Sequence, residues 1–149
     1  MTAMPPRSLA ERLRDTRARL ENDIDLWVAT PGSSGVHLIP LSYLWDGEAF
    51  LVSTPRASVT GRNLLAGGVV RLGLGPTRDV VVVDGTAEPV DLADLDPRTG
   101  DAFAARTGFD PRELDAYQYF LIRPHRIQAW REANELKGRD LMRDGTWLG

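Results

Sequence analysis

The sequence predicts a mainly β (α+β) protein: six antiparallel strands in a closed or split barrel, flanked by short helices. Three observations predict it. Short runs rich in Val, Leu, Ile and Thr are punctuated by Gly, Pro, Asp and Ser. Tight connections such as Asp46-Gly47 join neighbouring runs as antiparallel hairpins. The strands do not alternate with helices, as a doubly wound parallel sheet would require.

The elements follow in order. Ser8 with Glu11 reads as a capping box opening a helix. Leu9, Leu13 and Leu20 give that helix one narrow apolar stripe, and Arg7, Arg12, Arg14, Arg17 and Arg19 surround it. The pattern predicts a solvated amphipathic helix lying on the barrel. Strands are expected over 26–30 and 36–44, separated by a turn cluster over 31–35. Pro40 lacks a backbone donor and marks a sheet edge or a bulge. A third strand spans 49–53, then a helix spans 58–66 with Ser58 as its N-cap and Gly67-Gly68 as its stop. Strands over 69–74 and 79–90 are joined at Gly75-Pro76. Asp84-Gly85 is a bulge or a second hairpin. Asp96-Pro97 and Asp110-Pro111 start helices over 97–107 and 111–116. The last long strand covers 119–130, and 132–142 reads as helical before a tail ending near Trp147.

A chain of 149 residues fits one domain, here 1–149, with an N-terminal helical region (1–24) and a C-terminal segment (131–149). There is no cysteine, which excludes disulfides and thiolate metal sites and makes a reducing cytoplasm the default location. No apolar run approaches the roughly 18 residues of a membrane helix. Residues 5–22 are too charged for a secretory signal, and Glu11, Asp15 and Glu21 argue against a transit peptide. A net charge of −3 argues against general nucleic-acid binding. Lys137 is the only lysine, so a bound phosphate would be held by arginine forks, hydroxyls and backbone amides.

Three features could carry chemistry. In the first, a strand end bearing Ser53 and Thr54 runs into a helix start with Ser58, Thr60 and Arg62. Free N–H groups and the positive end of a helix dipole suit a phosphate there, although Ser58 could be only a cap. The second is Arg78-Asp79 at the start of strand five, a ligand contact or simply a charged strand edge. The third is Arg126-Ile127-Gln128-Ala129-Trp130 followed by Arg139: a flat indole with a cation nearby, or a core or interface tryptophan. His37 and His125 have no carboxylates at metal-ligand spacing, and no metal site is expected. Gly73-Leu74-Gly75 is not a dinucleotide fingerprint, and no paired carboxylates stand out as acid and base.

In their order, these pieces resemble the pyridoxamine 5'-phosphate oxidase-like family of FMN-binding split barrels, from about residue 26 to 147. The likeness includes the Asp-Gly hairpin, Gly85-Thr86-Ala87-Glu88 and the late Arg126-Ile127-x-x-Trp130. The resemblance implies a six-stranded antiparallel split β-barrel that forms a homodimer around a flavin. It implies that Thr54, Ser58 and the Thr60–Arg62 turn hold the phosphate, with Ser53 beside them. Ile39, Pro40, Leu41 and Ser42 would run along the ring, and Asp79 with Arg78 would touch it. Trp130 and Arg139 would reach the cofactor of the partner subunit.

Departures limit the carry-over. The true oxidases have an Arg-Lys pair where this chain has Val59-Thr60, and a lysine in strand two that is absent here. Their substrate-gripping Arg-x-His is replaced by Glu135-Leu136-Lys137. The chain is therefore not expected to oxidise pyridoxamine phosphate. Arg62-Asn63-Leu64 resembles the actinobacterial branch, which includes enzymes using the deazaflavin coenzyme. The expectation is an FMN- or deazaflavin-dependent oxidoreductase acting on a small molecule. A non-catalytic flavin carrier or sensor, and a cofactor-free structural or regulatory dimer, are the alternatives. No catalytic residue is assigned. Tyr43 and Ser42 are the hydroxyls considered as proton donors.

Overall fold

Ser8 caps the first helix, α1 (Leu9–Asn22), and the capping box is closed in both directions between Ser8 and Glu11. The computed structural model describes residues 4–149. In it, α1 packs against the short strand β3 (Leu44–Trp45) and against β8 (Asp140–Arg143). The helix is less solvated than its sequence predicts. Leu13, Thr16 and Leu20 face inward as expected from the helical period, Leu9 is exposed, and Arg12 is buried beside the inward residues.

Arg12 is buried because carbonyls wait for it there. Its Nη1 donates to the carbonyls of Ala129 (3.3 Å), Glu135 (3.0 Å) and Gly138 (3.1 Å). Next to it, Arg7 forks onto the Glu135 carboxylate, with Nε to Oε2 at 3.0 Å and Nη2 to Oε1 at 2.8 Å. The N–H groups of Arg7 and Arg131 also donate to this carboxylate. These donors, with Arg7 first, hold the Glu135 carboxyl at about 2, well below its ordinary value. Because the folded value is depressed, the stabilisation is complete above the ordinary carboxylate range and is lost as pH falls through about 2. Thermal unfolding followed by circular dichroism should therefore show Tm falling from about pH 4.5 to about pH 2. In Glu135→Gln that fall should be shallower and should start from a lower Tm.

The remaining strands form one curled antiparallel sheet in the order β2-β1-β5-β6-β7-β4-β3. Its members are β1 (Asp25–Gly32), β2 (Gly35–Ser42), β4 (Phe50–Pro55), β5 (Val69–Leu74), β6 (Val80–Val90) and β7 (Tyr117–Trp130). Strand β7 organises the split. It pairs with β6 along nearly its whole length, with β4 over its first half, and with β8 near its end. These six long strands are the six predicted. Among the described residues, the short β3, β8 and β9 (Thr146–Trp147) bring the sheet to nine strands. Pro40 lies on the edge strand β2, opposite Trp27, where its missing donor costs no ladder bond. Asp84-Gly85 is a bulge within β6, not a hairpin. Alternating residues such as Val28, Leu72, Val83 and Ile122 fill the interior.

Helix α2 (Val59–Ala66) packs on β1, β2, β4 and β6. Helix α3 (Pro97–Thr107) starts at the Asp96 cap and covers the predicted residues; it ends at Gly108, in the left-handed region. Its Phe103 lies edge-on against Tyr119 and covers Leu51, which is why β4 is buried on both faces. Two predicted helices do not form. Residues 111–116 give one 3-10 turn, Pro111–Glu113, too short to propagate before β7 begins. Residues 132–142 give a 3-10 turn, Ala133–Glu135, and then β8. Gly138 at φ 72 breaks that segment, and Leu141 and Met142 are buried as strand residues.

Candidate functional site

The groove between edge strand β2 and strand β4 gathers five of the expected residues. Pro40, Leu41, Ser42, Ser53 and Thr54 wall one cavity of about 270 Å³, together with Pro55, Phe103, Phe109 and Tyr117. Phe103, Phe109 and Tyr117 were missed by sequence reasoning. The aromatic pair Phe109 and Tyr117, with ring centroids 5.2 Å apart, was a weak signal on either side of a turn read as a helix.

Beyond the groove the chain turns into α2. The Ser58 hydroxyl donates to the Pro55 carbonyl at 2.7 Å, accepts from the Gly61 N–H at 3.0 Å, and lies 3.4 Å from Thr54 Oγ1. With the Gly61 and Arg62 N–H groups satisfied by Ser58, those of Val59 and Thr60 are left without intrahelical partners. Among the described residues, Thr60 Oγ1 and Ser53 Oγ are buried without a hydrogen-bond partner. Gly61 lets this turn sit against the end of β4, since a Cβ there would collide with the carbonyls of Pro55 and Arg56. Asn63 fastens the helix to β1 through Thr30 Oγ1 at 3.1 Å. Arg62 lies on the outer side of α2, in a cleft of about 760 Å³ against the β1–β2 turn, and among the described residues it has no carboxylate partner.

The other expected residues lie elsewhere in the chain. Thr54 pairs with Gln118 near the start of β7, whereas Val80 pairs with Trp130 at its end. The separation is about 40 Å of strand. Asp79 is held there by Arg19 (3.1 Å) and Arg131 (3.3 Å), and Arg78 is exposed with Glu132 3.8 Å away. Arg139 sits over the Trp130 ring at 5.7 Å. One chain thus brings together the β2–β4–α2 group and separately gathers Arg78, Asp79, Trp130 and Arg139 at the far end.

Neither candidate proton donor is free. Tyr43 is buried in the core and donates to the Leu20 carbonyl at 2.9 Å, and burial pushes its phenol above its ordinary value. Ser42 Oγ donates to Asp25 Oδ1 at 2.6 Å. Among the described residues no helix is long and apolar enough to cross a membrane.

A half-open antiparallel barrel with a β2–β4 groove ending at a capped helix start defines a split-barrel protein. Residues 15–131 match the family described as pyridoxamine 5'-phosphate oxidase, and the chain belongs to that family. A comparison with curated proteins returns no match. Solved structures share the fold. A candidate pyridoxamine 5'-phosphate oxidase from Listeria innocua is 13% identical, with a TM-score of 0.66 over 80% of this chain and 98% of its own. An FAD-binding protein from Mesorhizobium loti is 17% identical, with a TM-score of 0.63 over 77% and 89%. An F420 reductase is 20% identical, with a TM-score of 0.61 over 74% and 94%.

Proposed function

We propose that this chain binds FMN or the deazaflavin coenzyme and acts as an oxidoreductase on a small molecule, as a two-fold dimer. The observation that carries the reading is the β2–β4 groove running to the capped start of α2. Its donors fit a phosphorylated flavin-like group. The free N–H groups of Val59 and Thr60 and the partnerless Thr60 hydroxyl suit a phosphate, and Arg62 adds a cation near the same helix. Pro40, Leu41 and Phe109 offer an apolar wall to a flat ring. The likeness to an FAD-binding protein and an F420 reductase supports the same class of cofactor. When bound, the cofactor would supply hydride transfer. The chain's own part is to hold and orient it and to exclude water.

Two observations support a dimer. The groove of about 270 Å³ is smaller than the roughly 300–1,000 Å³ of small-molecule sites, so one chain supplies a partial site. The outer face of β1 and β2 exposes Trp27 (52%), Leu38 (57%) and Val36 (78%), an apolar surface suited to a second copy. Trp130 and Arg139 would then complete the partner's groove. Pyridoxamine phosphate oxidation is not proposed. Val59-Thr60 lacks cations, and Glu135 lies under Arg7 instead of presenting donors to a substrate.

Reduced FMN and reduced deazaflavin, each mixed with the protein and a panel of acceptors, test the reading. Turnover with one is expected; no turnover with either would remove the oxidoreductase and leave a carrier or sensor. Arg62→Ala and Trp130→Ala should each weaken cofactor binding about 10-fold or more, read by fluorescence titration. Unchanged affinity in both variants would place the cofactor elsewhere.

A further inference from the structure

A second cavity, of about 380 Å³, lies between the end of β4, the end of β6 and the 111–119 connection into β7. It shares Ser53 and Tyr117 with the β2–β4 groove, so the two spaces are neighbours through those side chains. Its walls mix apolar and polar groups. Val90, Leu92, Pro111 and Leu114 supply an apolar surface, Ser53, Tyr119 and Arg56 supply donors, and the Gln118 amide N–H groups are spent on the Val90 and Tyr119 carbonyls.

Two of these walls carry a buried hydroxyl with no partner. Tyr119 is 4% exposed and Ser53 is 7% exposed, and neither hydroxyl makes a hydrogen bond among the described residues. They are cross-strand partners on β7 and β4, so both stand on the same face of the sheet. Burial raises the Tyr119 phenol above its ordinary value, which keeps it a donor. Orphaned buried hydroxyls are unusual in folded proteins and mark places where a ligand or water completes the bonding. The charges at the rim argue against an anion. Arg112 is already paired with Asp101 and Asp110, Arg56 donates to Gln118 Oε1 and to the Asp115 backbone carbonyl, and the carboxylates of Asp91 and Asp115 stand in the same lining.

We propose that this cavity binds a small, neutral, partly apolar molecule through a carbonyl oxygen, with the Tyr119 and Ser53 hydroxyls as donors. That the ligand is the substrate of the neighbouring groove rests on the function proposed above; that it binds does not.

Benzamide serves as the probe, with ethylbenzene and benzoate as controls. Each is titrated into the full-length protein without cofactor, and backbone amide shifts are followed by NMR. Benzamide should shift the amides of 117–119 and bind more tightly than either control. Tyr119→Phe should weaken it about 5- to 10-fold, as loss of one hydrogen bond does, and Ser53→Ala should act in the same direction. Absence of shifts at 117–119, equal binding of ethylbenzene, or an unchanged affinity in both variants would overturn the proposal. Titrating FMN and the deazaflavin coenzyme into the same samples separates the two readings. Benzamide binding without cofactor binding would leave the cavity assigned and the groove's function refuted, and the converse would refute the cavity alone.

Discussion

Replacing Arg12 by methionine should lower stability by about 3 kcal/mol, or roughly 10 °C in Tm for a chain of this size. Methionine keeps much of the packing volume but removes the donors that Ala129, Glu135 and Gly138 accept from. Those carbonyls would stay in a poorly solvated seam, and an unmade buried bond is worse than a bond never needed. The damage should be directional, because Arg12 ties α1 to the end of β7 and the loop after it. Hydrogen exchange should quicken in 129–142 and in α1, while β5 stays protected. A loss below about 0.5 kcal/mol would mean that water replaces the guanidinium without cost.

Gly61→Ala should abolish measurable cofactor binding at concentrations that saturate the unmodified protein. The added Cβ meets the backbone carbonyls of Pro55 and Arg56 at a separation no real contact tolerates. Backbone, unlike a flexible side-chain end, cannot step aside, so the first turn of α2 must move away from β4. That motion breaks the Ser58 cap and displaces the free N–H groups proposed for the phosphate. Stability should fall by about 2 kcal/mol at the same time. Gly67→Ala is the control, because a Cβ there meets nothing within 4 Å and φ is −136. It should leave both affinity and Tm unchanged.

Much of the fold is legible locally. Strand β5 runs over the predicted residues, and α3 begins at Asp96-Pro97 and covers the predicted 97–107. Local signals decide such elements, whose caps and turns are completed within a few residues. Asp84-Gly85 was ambiguous because its resolution is not local. The bulge is set by β7, and Gly85 lets the Arg123 carbonyl come close. Burial of Arg12 was illegible for the same reason: the carbonyls of Ala129, Glu135 and Gly138 that draw it inward lie 117 or more residues along the chain. The 132–142 segment has helix-forming residues, but Glu135 is engaged by Arg7 and Asp140 and Met142 pair with β7. Of the candidate site, the end of β4 and the start of α2 were legible because a strand end and a capped helix carry them, whereas Pro40, Leu41 and Ser42 were expected only from the family resemblance. The site's aromatic wall, Phe109 and Tyr117, was not legible, since the connection that positions those rings was read as helical.

The most direct test of the account is a fluorescence titration of the purified full-length protein with FMN and, separately, with the deazaflavin coenzyme. Micromolar binding of one of them, lost in Gly61→Ala and retained in Gly67→Ala, is the predicted result. Binding of neither, by a protein whose circular dichroism shows it folded, would contradict the assignment of the groove and leave the shared fold without a shared cofactor.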